Sequence, residues 1–491
     1  FWLKPAWGKI SLLLERGRYT HSAAIGQHYH MEDFEEFLGR DLRLFGVDED
    51  FIAKLNWMDT FVAEEVEPLD TLGFSPYDIK HPARNALFRP LQHRVREQGL
   101  WACHLGKELG GPGMGQFKLA CMNIILGRSR CAPKVFGTAA PDTGNTEILA
   151  HFGTEAQKAR FLRPLMEDEI ASCYSMTEPH GGSDPTQFKT RAALTPEGDA
   201  WIINGEKIWS SSAKFAAFFL VMAVTDPDAP KHSRASMFIV PADLPGVQIV
   251  RNLGLGSHES PDASHAHMRY TDVRVPFDHL LGRRGRGFDV AQVRLSGGRI
   301  HHGMRTIGVC KRAFDMMCER AKARHTQGEL LAAKQLVQEK IARSWIELEQ
   351  FKLLTLRTAW LIDRNPENYK PVRKDIAAVK VAMADTNESI VTRAQRVHGG
   401  LGFTWDLPLA GWHQHGQMLY VGDGPIELHM MTVAKEVLKH VHGPESDYEI
   451  NFTRNNLNVK RRQALERYVP RLKAAGVDPR CVASEQALSM L

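Results

Sequence analysis

The sequence predicts a mainly α protein with a β-domain inserted between two helical regions. Two changes of hydrophobic period carry that reading. Apolar spacing of three or four up to about residue 165 gives way to alternation between Cys173 and Val275, and helical spacing returns from Phe288. A third observation, a polar and basic stretch after about Gly443, sets the end of the chain apart from both.

In chain order, residues 1–47 form an N-terminal extension. The first helical domain spans 48–170, where Phe51, Leu55, Met58 and Phe61, and later Phe117, Ala120, Cys121, Ile124 and Ile125, share a helix face. The β-domain spans 171–283. Its strands are Trp201-Ile-Ile, Ile208-Trp209, Phe218 to Val224, Met237 to Val240 and Val247 to Val250, with Asn204-Gly205 read as a hairpin turn. His265-Ala-His-Met-Arg-Tyr270 adds a half-buried alternation. The second helical domain, 284–443, carries Ile300, Met304 and Ile307, then Phe314 and Met317, then long helices over 335–363 and 375–396. Residues 444–491 read as a peripheral tail with Lys460-Arg-Arg462 and an amphipathic stretch to Leu472.

Composition narrows the partners. A chain of 491 residues exceeds one simple core, and 43% hydrophobic content is ordinary for a globular protein. The net charge of +5 comes from 62 basic and 57 acidic residues that are mixed along the chain, so no basic block points to nucleic acid. A modest positive balance suits anionic small molecules. The seven cysteines are odd in number and form no Cys-x-x-Cys pair, which indicates neither a disulfide framework nor a metal site and fits a reducing compartment. The longest apolar run, Phe215 to Val224, falls short of the ~20 residues of a transmembrane segment. The chain opens on Phe1, and Lys4, Lys9, Arg16 and Arg18 stand against Glu15 alone in residues 1–30, a balance shared by mitochondrial presequences and by ordinary surface segments. The last residues, Ser489-Met-Leu491, lack the central basic residue of the peroxisomal pattern.

The most informative segment is Tyr174-Ser-Met-Thr-Glu-Pro-His-Gly-Gly-Ser-Asp184. A Gly pair beside Ser and Asp exposes backbone N–H groups and a hydroxyl, the donors a phosphate or a flavin ring edge requires, although the same tetrad also makes a plain turn. Ile203-Asn-Gly-Glu-Lys-Ile-Trp209-Ser-Ser211 follows some twenty residues later. It puts a Trp and a hydroxyl at a strand end, where they serve either to buttress a flat heteroaromatic ring or as core.

Thr177-Glu-Pro with Gly182-Ser-Asp184, followed by Asn204-Gly-Glu-Lys-Ile-Trp209, resembles the signature of the acyl-CoA dehydrogenase family. Gly285-Arg-Gly-Phe288, Gly298-Arg-Ile-His-His302, Met304-Arg-Thr-Ile-Gly308 and Met317-Cys-Glu-Arg320 resemble in particular the branch of family members ten and eleven. The resemblance covers roughly 100–440. It implies an N-terminal helical domain, a central β-barrel and a C-terminal helical bundle, with FAD between the β-domain and the C-terminal helices. By motif position it assigns Met176, Thr177, Ser183, Trp209 and Ser211 to the flavin and pyrophosphate. It also implies a homodimer or homotetramer whose neighbouring subunit reaches the FAD with Arg324 and Thr326 and with a Gln-x-x-Gly-Gly element. Here that element reads Arg396-Val-His-Gly399-Gly400, with Arg in the Gln position.

The family's base is a Glu before a Gly, ahead of the last helix. The loop here is Gly422-Asp423-Gly424-Pro425-Ile-Glu427-Leu-His429, so the resemblance assigns the base to Asp423. Some members carry the Glu on the earlier helix, at the position that is Gly298 here. Read alone, Asp-Gly-Pro is also a turn. Aspartate is one methylene shorter than glutamate, so the loop or the substrate must come closer by about 1.5 Å. The chemistry calls for a carboxylate whose pKa an apolar pocket raises toward the operating pH, with the Asp423 backbone N–H polarising the thioester carbonyl. Arg299 falls near the base and the thioester end. Gly424 lets backbone approach substrate, and His301 and His302 are candidates for an oxygen substituent on the acyl chain or for packing. The expected reaction is oxidation of acyl-CoA to trans-2-enoyl-CoA in fatty acid β-oxidation, with an electron-transferring flavoprotein as acceptor. The expected location is the mitochondrial matrix in a eukaryote, with peroxisome or bacterial cytoplasm as alternatives. Two other readings stay open: an acyl-CoA oxidase, and a flavin-bearing scaffold or assembly subunit with little turnover.

Overall fold

The computed structural model describes residues 37–38, 42–43, 45–254, 265–365, 369–441 and 456–489. The expected extension therefore lies largely outside the described residues. The longer N-terminal helices are α1 (Glu49–Phe61), α2 (Pro82–Glu97), α3 (Gly115–Leu126) and α4 (Asp142–Phe152). Asp48 caps α1 by accepting from Phe51 N at 2.8 Å, and Phe51, Leu55, Met58 and Phe61 are buried. The cap of α3 comes from far along the chain: the Asp363 carboxylate accepts from Gln116 N at 2.6 Å and Phe117 N at 2.8 Å. A side chain is thus what fastens the N-terminal helices to the C-terminal ones at that point.

The strands are β1 (Ser172–Ser175), β2 (Arg191–Leu194), β3 (Ala200–Ser210), β4 (Phe218–Val224), β5 (Ala235–Pro241), β6 (Val247–Leu253), β7 (His265–Pro276) and β8 (Leu280–Leu281). They form one sheet in the order β6-β7-β3-β2-β4-β5-β8, with β1 parallel to β4. Trp201, Phe219, Phe238 and Tyr270 fill one face, while Phe218, Leu220, Met237 and Ile239 pack against Ile148 and Leu149 of α4. The Asn204-Gly205 hairpin is corrected by this sheet. β3 runs unbroken through the pair, and the Gly205 backbone at φ 147° makes a bulge against β7 between Ile203 and Gly205. A Cβ at 205 would strike Thr190 at 2.5 Å, so the glycine is there for close packing of β2 on β3 and not for a turn.

The C-terminal helices are α5 (Gly287–Ala323), α6 (Gln335–Asp363), α7 (Arg373–His398), α8 (Leu409–Met418) and α9 (Ile426–Leu438). Their buried residues, among them Met304, Ile307, Phe351, Val379 and Val391, join those of α1 to α3 in one continuous core. α3 and α5 touch backbone to backbone: a Cβ on Gly127 would lie 2.0 Å from Arg305 O, and one on Gly308 2.1 Å from Ile124 O. That contact sets the inner face of α5 against the N-terminal helices. A further helix, α10 (Leu457–Ala474), buries Leu465 and Val469 against Ala483 in a small core of its own. Among the described residues no helix is long and apolar enough to cross a membrane.

Candidate active site

The two quoted segments of the β-domain meet. Ile208 N donates to Thr177 O at 2.8 Å, and the Ser175 and Ser210 hydroxyls lie 2.9 Å apart, with Tyr270 donating to Ser175 at 2.9 Å. Beneath them Lys207 and Glu178 form a fully buried pair at 2.8 Å, and Lys207 Nζ also donates to Met176 O at 2.8 Å. Glu178 accepts from Lys189 N and Thr190 N as well, which fixes the start of β2. Against this rigid base the Trp209 ring stands out, 51% exposed, on a backbone at φ 59° that a bulky residue seldom adopts. The Thr177 and Ser183 hydroxyls have no protein partner among the described residues. Ser211 does have one, His265 Nδ1 at 2.9 Å. A protruding indole on a strained backbone, with solvent-accessible hydroxyls at Thr177 and Ser183, suits a flat, polar-edged ligand.

Asp423 lies in the loop from α8 to α9. It adopts φ 55° and Gly424 follows at 104°, a left-handed pair in which the second residue has little alternative to glycine. A Cβ on Gly424 would also stand 3.2 Å from His429 Nε2. The loop is fastened from three helices. Arg299 of α5 donates Nε–H to Asp423 O at 3.1 Å, His429 of α9 donates to the same carbonyl at 3.4 Å, and Lys380 of α7 donates to Leu419 O at the end of α8. The Asp423 side chain is 23% exposed, with Oδ2 3.8 Å from His302 Nε2. Across from it α5 has no side chain, since a Cβ on Gly298 would lie 3.2 Å from Oδ2.

The electrostatics correct one expectation. Burial raises the Asp423 carboxyl, but the facing His302, Arg294, Arg299 and Lys380 outweigh it and hold the group below the ordinary carboxylate range. His302 is itself pushed down to about 4, by burial first and Arg305 next, so at pH 7 it is neutral and the standing charges are the two arginines and Lys380. The surroundings of Asp423 are cationic, not apolar.

His301 and His302 are neighbours on α5 but face apart. His301 is buried and donates to Gln116 Oε1 at 3.0 Å, and burial holds its ring well below the usual value. Several groups at the site carry no family signature. Arg294, one turn before Gly298, donates Nε–H to Asn145 Oδ1 at 3.0 Å and stacks 3.8 Å over the Tyr174 ring. Glu147 Oε2 lies 3.0 Å from where a Gly297 Cβ would be, and burial, opposed by Arg294, pushes its carboxyl up to about 7. Arg305 is half-buried, with Asn123 Oδ1 at 3.4 Å. Spacing offered a signal for these: Arg294, Gly298, His302 and Arg305 recur at four, four and three on a helix that otherwise alternates core and polar positions.

The elements assigned to a neighbouring subunit stay apart from this cluster within the chain. Arg324 is exposed, Thr326 lies in a two-residue strand paired to Glu329–Leu330, and Arg396, Gly399 and Gly400 are exposed at the end of α7.

The sequence matches the acyl-CoA dehydrogenase N-terminal domain over residues 55–169, the middle domain over 173–273 and the C-terminal domain over 285–438. It is 37% identical to acyl-CoA dehydrogenase family member 10 of Mus musculus over 77% of this chain, but spans only 36% of that protein's length. With the Mycobacterium tuberculosis protein named "Probable acyl-CoA dehydrogenase FadE2" it shares 39% identity over 72% of this chain and 86% of the relative. Among solved structures, a Mycobacterium abscessus protein described as an acyl-CoA dehydrogenase superposes with TM-score 0.74 at 32% identity, covering 80% of this chain and 99% of the other. A Bacillus anthracis acyl-CoA dehydrogenase complexed with FAD gives TM-score 0.67 at 25% identity, over 80% of this chain and 68% of the other. The three domain matches lie in order along the chain, and the chain belongs to the acyl-CoA dehydrogenase family.

Proposed function

We propose that the protein is an FAD-dependent acyl-CoA dehydrogenase that converts an acyl-CoA thioester to its trans-2-enoyl-CoA, with Asp423 removing the α-proton. The observation that carries this reading is the Asp423 carboxylate standing across from the bare Gly298 position of α5, 3.2 Å from where a side chain would begin. The glycine puts no side chain between α5 and the carboxylate, which stays 23% exposed.

Met176, Thr177, Ser183, Trp209 and Ser211 would hold the cofactor, and the exposed indole and free hydroxyls described above support the fit. Bound FAD supplies the acceptor for the hydride leaving Cβ. The rest of the chemistry belongs to the chain. The facing charges keep Asp423 ionised, so it is ready to accept the α-proton; an acyl chain that displaces water then removes solvation from the carboxylate and strengthens it as a base. The Asp423 N–H, presented by the left-handed turn with Gly424, is the donor for the thioester carbonyl as enolate character builds. Arg299 holds the next peptide, through the Asp423 carbonyl, so the residue that supplies both base and donor is fixed from α5. The cationic and imidazole groups beyond Asp423, His302 and Arg305 with His301 behind them, favour an acyl chain that carries an oxygen substituent over a plain alkyl chain. Arg324, Thr326, Arg396, Gly399 and Gly400 are assigned to the FAD of a neighbouring subunit in a homodimer or homotetramer, and an electron-transferring flavoprotein to reoxidation.

The test is anaerobic bleaching of the bound flavin by acyl-CoAs of graded length, with and without a 4-hydroxyl, in wild type and Asp423→Asn. Bleaching by one class that is lost in the variant is the expected result. A yellow protein that none of them bleaches overturns the activity, and a colourless protein overturns the cofactor.

A further inference from the structure

We propose that Lys380 is a positioning residue for proton abstraction, its ammonium fixing the Asp423 loop through the Leu419 carbonyl and serving as the buried counter-charge of the Asp423 carboxylate. The inference rests on the reading of Asp423 as the base.

Lys380 lies in the first third of α7 and is fully buried. A lysine is among the costliest residues to bury, and one that only filled space could be replaced by methionine. Its amine donates to Leu419 O, the carbonyl that ends α8, where unpaired carbonyls and the negative end of the helix favour a cation. From there to Asp423 the chain is a compact turn: Gly422 N donates to Met418 O at 2.8 Å and Ile426 N to Tyr420 O at 3.0 Å. Fixing Leu419 therefore fixes Asp423, whose short side chain makes its reach depend on the backbone. Among the described residues no carboxylate comes within ion-pair distance of Lys380, so its charge is balanced at longer range, by Asp423 and Glu427 against Arg299. The groups that act on Asp423 are Arg294, Arg299, His302 and Arg305 from α5, Lys380 from α7, His429 from α9 and Tyr174 from β1. Of these, Arg299 and Lys380 join a charge to a hydrogen bond on the loop, Arg299 at Asp423 O itself and Lys380 at Leu419 O, where the loop leaves α8.

The experiment uses the FAD-loaded protein and a 3-thia-acyl-CoA, whose β-position has no hydride to give, so that exchange of the α-protons with deuterium reports proton transfer alone. Lys380→Met removes charge and donor, Lys380→Gln removes the charge and keeps a donor for Leu419 O, and Asp423→Asn removes the base. Both Lys380 variants should move the acid limb of exchange upward by about one pH unit. Lys380→Met should also lower the plateau about tenfold or more, with Lys380→Gln within about threefold of wild type. Melting temperature and analogue affinity separate these effects from unfolding, and Lys380→Gln alone decides the charge if Lys380→Met does not fold. Wild-type limbs and plateaus in both Lys380 variants, with exchange abolished in Asp423→Asn, overturn the proposal while leaving the base in place. Exchange that survives in Asp423→Asn overturns the base assignment and this inference with it.

Discussion

Gly298 and Asp423 face one another so closely that a Cβ on the glycine would lie 3.2 Å from the carboxylate Oδ2. A longer side chain at 298 would bring its own end group into the volume the Asp423 carboxylate now occupies. Asp423→Ala is therefore expected to abolish flavin bleaching, and adding Gly298→Glu to recover it at least about tenfold, because a carboxylate returns to the same place from the opposite wall. Gly298→Glu with Asp423 intact should be worse than wild type, since two carboxylates would then share one site. Stopped-flow bleaching of the three variants checks all of this.

Glu147 gives the protein a pH dependence of stability with a definite sign. Its carboxyl is pushed up to about 7 from an ordinary 4.5. A raised folded value means that the protonated form is favoured in the native state: the contribution is fully present below about 4.5 and is lost as pH rises through about 7. Glu147→Gln should accordingly raise denaturant stability at pH 8, by at most about 3 kcal/mol, and leave it almost unchanged at pH 4. A gain of equal size at both pH values would mean that the side chain acts through packing.

Trp209 separates cofactor binding from folding. Its ring is 51% exposed, so Trp209→Ala removes little from the core, and apoprotein stability should change by less than about 1 kcal/mol. Flavin retained through gel filtration, read by absorbance, should fall sharply in the same variant. If retention is unchanged, the indole does not contact the cofactor.

Period changes made the fold legible because helix and strand faces bury different spacings, and both the α5 pattern of Ile300, Met304 and Ile307 and the alternation over 265–270 appear in the structure as read. Asn204-Gly205 misled because its dipeptide preference is local, whereas β7 on one side and Thr190 on the other demanded an extended strand with no Cβ at 205. At the site, sequence marked the residues that a family signature marks, and the structure places Asp423, Gly298, Arg299 and His302 together. The groups that decide the charge around Asp423 were legible only in part: Arg299 and His302 stand in a quoted motif and Arg294 falls on the spacing of Gly298 and His302, whereas Lys380 carried no signal. Arg294 and Lys380 are ordinary basic residues in helices until tertiary packing buries one wholly and stacks the other on Tyr174. The expected apolar pocket failed for that reason: burial depends on what surrounds the residue, and the surroundings here are cations from two helices that share no local motif.

The Lys207–Glu178 pair beneath the Thr177 and Trp209 segments makes the last prediction. Both side chains are buried, and the Lys207 amine is pushed down to about 8 by burial even with Glu178 beside it. Glu178→Ala leaves an ammonium with the Met176 carbonyl and the Phe188 ring but no counter-charge, which should cost about 3–5 kcal/mol at pH 7. Without its partner the amine falls further below its unfolded value, and the cost of burying charge is then present below that value and fades as pH rises toward it. The deficit of Glu178→Ala relative to wild type, measured by urea unfolding, should thus be smaller at pH 10 than at pH 7. Because Lys207 also positions Met176, and Glu178 the start of β2, FAD affinity should fall with stability at pH 7 but recover less at pH 10: neutralising Lys207 relieves the buried charge without restoring the two backbone hydrogen bonds that Glu178 accepts.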